Sequence, residues 1–329
     1  MYTKLVKKEV LKWCFPLILL SILSEAQEVN LEQYPKATIE NDQVSMLVYL
    51  PDAKKGLYRG TRFDWSGMIG SVLYQGHEYF GYWKNTHDPM VHEDLTGPVE
   101  GYIKPGLGYE EAAPGSGFIR IGVGVIEREA ESEYQWKKTY NVLDHGDWSV
   151  NQGSDWISFT HQVNGDFGYG YHYTKTIRLK GNGFVIEHKL RNTGDKPIET
   201  DQFNHNFFMI DGTVSGPAFT IKFPYDISTG DDLKDLMRID SNELHFLKEF
   251  RDTNLFLTLT GYSEQVEDHE VTVLNTKSGA GVSLSMDQPI YRMCFWACET
   301  TLCPENFIWI SVPPGETMDW NSDYRLFVE

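Results

Sequence analysis

The sequence predicts an all-β protein, a large antiparallel β-sandwich, and two observations carry this prediction. Stretches that alternate between apolar and polar residues recur along the chain, separated by turns rich in glycine, asparagine and proline. Helical periodicity is scarce, and residues 231–238 are the best candidate for a short helix. Many short strands with such turns between them are typical of packed antiparallel sheets.

The clearest predicted element is a hairpin. Residues 171–179 are rich in aromatic and β-branched side chains, a turn containing two glycines follows, and residues 184–191 return. Phe184, Ile186 and His188 fall on one face of the second strand, so we expect that face to be buried. Further strands are predicted at residues 155–161, 255–260, 271–275, 307–313 and 324–328.

The first 26 residues are typical of a signal peptide. Four lysines precede an apolar run at 13–23, and residues 24–26 (Ser-Glu-Ala) place small side chains where a signal peptidase cleaves. We expect a secreted or periplasmic protein with no membrane attachment after cleavage; the alternative is an uncleaved anchor. Because no Pro-, Gly- or Ser-rich linker interrupts the rest, residues 27–329 are predicted to form a single domain.

The net charge argues against one class of partner, and the cysteines leave the disulfide state open. The formal net charge of −18 argues against a nucleic-acid partner, since phosphate binding needs a basic surface. Cleavage would leave Cys294, Cys298 and Cys303. A disulfide between Cys298 and Cys303 could close across a turn, and buried thiols are the alternative.

Three patterns in the chain occur in the same order as in a known family. Residues 186–212 contain Asn-Thr-Gly-Asp-Lys-Pro and then Phe-Asn-His-Asn-Phe-Phe; Cys298-Glu299-Thr300 is followed by Pro-Pro-Gly-Glu at 313–316; and residues 60–76 begin with Gly-Thr-Arg. Together they resemble the galactose mutarotase-like superfamily, which includes aldose 1-epimerases and hexose-phosphate epimerases. One position departs from the family pattern, because Ser116 stands where that family usually has a histidine.

The resemblance implies a sugar isomerase that opens and recloses the ring by acid–base catalysis, with no metal or other cofactor. It suggests Glu299 as the base and His205 as the acid; a solvated carboxylate and a hydrogen-bonded core histidine are the alternatives. The residues expected to contact a small-molecule carbohydrate are Arg62, Arg120, Asn204 and Gln75. Arginine suits this role because its planar fork of donors fits sugar hydroxyls or a carboxylate.

The polar segment at residues 84–116 is expected at the rim of the site. Its cluster of histidine and acidic residues at 87–94 matches no metal motif, so a solvated loop is the default. His92 could replace the imidazole missing at Ser116 if the segment folds inward. The departure at Ser116 keeps two other functions open, a non-catalytic carbohydrate-binding protein and a different sugar enzyme such as a lyase or hydrolase.

Overall fold

The computed structural model describes residues 29–130 and 132–329, so the predicted signal peptide and its cleavage point lie outside the described residues. This part of the chain forms strands joined by turns and two short 3₁₀ helices, Ile210–Gly212 and Val266–His269. The strands are β1 (Lys36–Glu40), β2 (Val44–Tyr49), β3 (Met68–Tyr74), β4 (His77–Glu78), β5 (Val99–Gly101), β6 (Gly117–Arg120), β7 (Gly124–Glu127), β8 (Val142–Asp144), β9 (Asp147–Gln152), β10 (Trp156–Asn164), β11 (Gly170–Lys180), β12 (Gly183–Asn192), β13 (Ile198–His205), β14 (Phe219–Lys222), β15 (Met237–Asp240), β16 (Glu243–Phe246), β17 (Asn254–Leu259), β18 (Val271–Asn275), β19 (Ala280–Met286), β20 (Arg292–Cys298), β21 (Leu302–Val312) and β22 (Thr317–Val328).

Four antiparallel sheets make up the fold, which confirms the predicted all-β class. The largest has ten strands in the order β15-β16-β14-β18-β19-β22-β12-β11-β10-β9, and the second has five in the order β17-β20-β21-β13-β5. A four-stranded sheet (β1 to β4) and a three-stranded sheet (β6 to β8) complete it. No helix in the described residues is long and apolar enough to cross a membrane.

The main core brings together side chains from three of these sheets, for example Ile69 on β3, Ile186 on β12 and Leu257 on β17. The hairpin formed by β11 and β12 pairs as predicted, and the face with Phe184 and His188 is buried. On β17 the burial alternates strictly from exposed to buried. The five-stranded sheet therefore turns one face to the core and leaves the other to line a cavity.

Residues 231–238 form a turn and the beginning of β15, not a helix. The backbone of Lys234 and Asp235 has φ of 52° at both residues, a left-handed conformation that a right-handed helix cannot contain.

All three cysteines of the described chain are free thiols, so the disulfide between Cys298 and Cys303 is not formed.

A buried cluster of charged side chains joins the two largest sheets. Lys175 on β11 lies 2.8 Å from the Asp64 carboxylate and contacts the carboxylate of Glu100 on β5. His188 on β12 approaches the other oxygen of Glu100, with 3.0 Å between Nε2 and Oε1. All four side chains are at most 1% exposed, so each charge depends on its partners for compensation.

We predict that Lys175→Met destabilises the protein by about 3–5 kcal/mol, because it leaves two carboxylates buried without a cation. Lys189→Met is the matched control, since Lys189 is exposed on the adjacent strand β12 and should change stability by no more than about 0.5 kcal/mol. Urea denaturation of both variants measures the difference. Equal losses in the two variants would contradict the prediction.

Candidate functional site

The face of the five-stranded sheet that points away from the main core forms the floor of a cavity of about 640 Å³, a volume typical of small-molecule sites. Loops that precede β3, β5 and β8 supply the opposite wall. The lining residues are Arg62, Trp83, His92, Glu93, Ile103, Trp136, Lys137, Phe203, His205, Phe207, Asn254, Phe256, Arg292, Trp296, Cys298, Glu305 and Phe307. The cavity thus combines aromatic walls with a small set of charged groups.

His205 and Glu305 face each other at the base of this cavity. The antiparallel register of β13 with β21 pairs Phe203 with Phe307. Two residues further along β13 and two residues back along β21, on the same face of the sheet, His205 lies opposite Glu305. Nε2 of His205 lies 3.2 Å from Oε1 of Glu305, and each residue is 5% exposed. Within the described chain, Nδ1 of His205 has no hydrogen-bond partner.

Burial shifts the proton equilibria of this pair in opposite directions. It raises the pKa of Glu305 from its usual 4.5 to about 7, although the charges of Arg62 and Arg292 oppose the rise. Burial, and next the charge of Arg62, lower the pKa of His205 well below its usual 6.5, while Glu93 opposes this. At neutral pH the contact is therefore not a fully ionised salt bridge.

Aromatic rings enclose the histidine. The Phe207 ring stacks on the imidazole with 3.9 Å between centroids, while Phe63 and Trp296 approach it edge-on at 5.6 Å each. These rings exclude water from three sides, which explains why the charged form of His205 is disfavoured.

Two arginines flank the pair. The Arg62 guanidinium lies between two rings, 4.4 Å from the centroid of Phe63 and 4.2 Å from that of Trp136. The Arg292 guanidinium lies 4.0 Å from the centroid of Phe307 and is paired with a carboxylate oxygen of Asp201 at 3.6 Å. Stacking on aromatic faces holds both guanidiniums in fixed positions at the cavity wall.

Several solved structures share this architecture. The aldose epimerase homologue from C. elegans superposes with a TM-score of 0.55 at 14% identity, covering 90% of this chain and 99% of that one. The galactose mutarotase-like protein from Clostridium acetobutylicum gives 0.56 at 10% identity, covering 92% and 98%. The one from Lactobacillus casei gives 0.53 at 13% identity, covering 89% and 100%. This chain has the galactose mutarotase-like fold. No family model and no curated protein sequence matches it.

Within the mutarotase-like fold, Glu299 does not face His205. β20 ends at Cys298, so Glu299 lies in the turn before β21 and not on a strand. Its carboxylate accepts a hydrogen bond from Arg251 and lines a neighbouring depression that shares Trp83, Asn254 and Cys298 with the main cavity. The predicted pairing of Glu299 with His205 is therefore corrected, and Glu305 occupies the place expected for Glu299.

The strand register explains why sequence reasoning missed Glu305. The predicted strand began at Phe307, whereas β21 begins at Leu302 and includes Glu305 on the same face as Cys303 and Phe307. A carboxylate within this mostly apolar run is costly to bury unless it has a function, and that signal was present in the sequence.

Of the four predicted sugar contacts, only Arg62 lines the cavity. Asn204 points to the opposite face of β13 and donates to Ser322 and Tyr324 on β22. Arg120 is buried and donates to the backbone carbonyls of Tyr102, Lys104 and Arg62.

Gln75, the fourth, is exposed in the turn between β3 and β4, with its backbone in the left-handed region at φ 50°. Asn204, Arg120 and Gln75 therefore lie outside the cavity lining, and a sugar contact at Arg62 stays a prediction.

The polar segment at residues 84–116 reaches the cavity through His92, Glu93 and Ile103. Ser116 lies elsewhere on the surface and donates to the carbonyl of Ala113, whereas His92 folds inward against Trp136. Among residues 29–130 and 132–329, no three His, Cys, Asp or Glu side chains lie close enough to hold a metal ion.

We predict that Glu305→Gln stabilises the protein above pH 7. Because the folded-state pKa of Glu305 exceeds its usual value, the folded state loses stability as pH rises from 4.5 to about 7. Glutamine does not ionise, so the variant should gain about 3 kcal/mol at pH 8 and little at pH 4.

Urea denaturation at the two pH values measures this gain, and Glu299→Gln, which removes an exposed carboxylate, should gain nothing comparable. A Glu305→Gln protein no more stable than the original at pH 8 would show that Glu305 is not held in a desolvated site.

Proposed function

We propose that this protein is a carbohydrate-active isomerase that interconverts the anomers of a small sugar, with His205 and Glu305 as its acid–base pair. The observation that carries the proposal is the placement of this pair, 3.2 Å apart, in a cavity of about 640 Å³ walled by aromatic rings. Aromatic faces suit the apolar C–H surface of a pyranose, and the neighbouring charged groups suit its hydroxyls. Mutarotase-like neighbours share the fold, which supports a carbohydrate ligand.

Changing an anomer requires one proton to leave and another to arrive. A base takes the proton of the C1 hydroxyl while an acid protonates the ring oxygen, and the bond between C1 and the ring oxygen breaks to give the open-chain aldehyde. Rotation about C1–C2 turns the carbonyl over, and the reverse proton transfers close the ring on its other face. Since each proton taken is returned, the reaction needs only a base and an acid at the right places.

A pair that holds one proton meets this requirement. In one arrangement Glu305 is a carboxylate that accepts the C1 proton, and His205 is an imidazolium that protonates the ring oxygen. Ring opening converts this arrangement into the other, in which Glu305 is protonated and His205 is neutral. Among the states that hold one proton, the two shifted pKa values favour the second arrangement in the empty cavity.

Ring opening of a bound sugar therefore has to start from the first arrangement, which is the less favoured one in the empty cavity, and ring closure regenerates it. Arg62 favours the carboxylate form of Glu305, since its charge opposes the rise in that pKa. The same charge disfavours the imidazolium form of His205, so Arg62 acts on both members of the pair and does not by itself decide which arrangement is favoured.

We predict that Glu305→Gln and His205→Asn each lower the rate of anomer exchange by at least about 100-fold, the lower end of a general acid–base contribution. Because both groups act in one step, the double variant should be little slower than the worse single one. NMR exchange spectroscopy or polarimetry with a panel of free aldoses and modified monosaccharides measures the rates. Glu299→Gln is the matched control and should change the rate less than about twofold.

Two results would oppose the proposal. Full activity in Glu305→Gln would remove the pair from the mechanism. Sugar binding without any anomer exchange in the unaltered protein would indicate a non-catalytic carbohydrate-binding protein.

The pH profile should follow the one-proton pair. We expect kcat/KM to fall as pH rises above about 7, because Glu305 then loses the last proton of the pair. The value of kcat/KM should also fall at acid pH, below the usual pKa of histidine, because His205 and Glu305 are then both protonated and neither can act as the base. Stopped-flow polarimetry from pH 4 to 9 tests this, and a rate that rises through pH 7 to a plateau would contradict it.

A further inference from the structure

The cavity wall differs in charge from the rest of the protein. The whole chain has a formal net charge of −18, yet Arg62, Lys137 and Arg292 all line this one cavity. The cavity also has two carboxylates, Glu93 and Glu305. A cation of the cavity wall can therefore attract an anionic ligand only if its charge is not already compensated within the protein.

Most of these charges have partners within the described chain. Glu93 is paired with Lys84 and His92, and Glu305 is in contact with His205. Arg292 is paired with Asp201, and the side chain of Lys137 is exposed, so water solvates its ammonium group.

Arg62 is different. Its guanidinium is held between Phe63 and Trp136 and has no salt-bridge partner within the described chain, whereas Arg292 has Asp201. The Nε of Arg62, like that of Arg292, is buried with no hydrogen-bond partner in the described chain. Glu305 and Glu93 attract it electrostatically, but each has its own closer partner. Burial lowers the pKa of Arg62, which shows that its charge is incompletely compensated. A fixed, desolvated fork of donors at a cavity wall is a site for a planar anion.

We infer that the sugar that enters the cavity is a uronic acid and that Arg62 binds its carboxylate. This inference rests on the proposed function and adds the substrate class. In a uronic acid the carboxylate is attached to C5, beside the ring oxygen. A cation that binds the carboxylate must therefore lie next to the group that protonates the ring oxygen. Arg62 meets this condition, since its guanidinium lies 4.4 Å from the centroid of Phe63, whose ring approaches that of His205 at 5.6 Å. Arg62 and His205 both line the cavity.

The balance of charge favours a carboxylate over a phosphate. One uncompensated guanidinium matches one negative charge, and the two parallel N–H donors of its fork match the two oxygens of a carboxylate. A phosphate ester carries nearly two charges at neutral pH and would lie near Glu93 and Glu305 as well.

Binding of methyl glycosides tests the inference separately from catalysis, because a methyl glycoside cannot open its ring. Isothermal titration calorimetry would compare the methyl glycosides of glucuronic, galacturonic and mannuronic acid with those of glucose, galactose and mannose. We expect at least one uronide to bind at least about tenfold more tightly than its neutral counterpart, the effect of one hydrogen-bonded charge pair. Methyl glucoside 6-phosphate serves as the phosphate probe and should bind more weakly than the best uronide.

Variants of Arg62 identify the contact. Arg62→Gln should remove the preference for the uronide while changing the affinity for the neutral glycoside much less, and Arg62→Lys, which keeps the charge but not the fork, should restore part of it. Arg178→Gln is the matched control, since Arg178 is a surface arginine on β11 outside the cavity. It should leave both affinities unchanged.

The outcomes separate this inference from the proposed function. Equal affinity for uronides and neutral glycosides, tighter binding of the phosphate probe, or no binding of any glycoside would overturn the inference. An Arg62→Gln protein that keeps the full uronide preference would overturn it too. A uronide preference in a protein that exchanges no anomers would support the inference and overturn only the isomerase proposal.

Discussion

The contact of Lys175 with Asp64 and Glu100 is the interaction on which the position of the site depends. Its three charges are buried between the sheets, so their mutual compensation fixes β5 against β11. In the ladder between β5 and β13, Glu100 lies opposite Asn204, and the next pair joins Val99 to His205. The cluster therefore holds β5 in place beside β13, the strand that carries His205, without itself entering the cavity.

The two faces of β13 show how one strand serves both stability and chemistry. Asn204 points into the core, where Ser322 and Tyr324 satisfy its amide, and its neighbour His205 points into the cavity. The alternation of side chains along a strand makes this division unavoidable. On the cavity side His205 and Glu305 have each other but few further partners. Their pKa values move away from the usual ones because burial penalises charge that the protein does not compensate.

The two arginines suggested by the family resemblance have different tasks. Arg120 donates to three backbone carbonyls, including that of Arg62, and so supports the segment on which Arg62 lies. Arg62 itself keeps its guanidinium between two aromatic rings at the cavity wall. His92 enters the same wall from the polar segment, so an imidazole is present in the cavity although Ser116 lies elsewhere.

The sequence by itself determined the all-β class and the hairpin of β11 and β12, because alternation and turn residues are local signals. The family resemblance suggested His205 and Arg62, and both side chains line the cavity. Only the tertiary structure decided which carboxylate meets His205. Glu299 and Glu305 are six positions apart in one hairpin. The start of β21 and its register against β13 place Glu299 in the turn before the strand and Glu305 in the cavity. Register is set by packing between strands that are distant in sequence, so no local pattern could fix it.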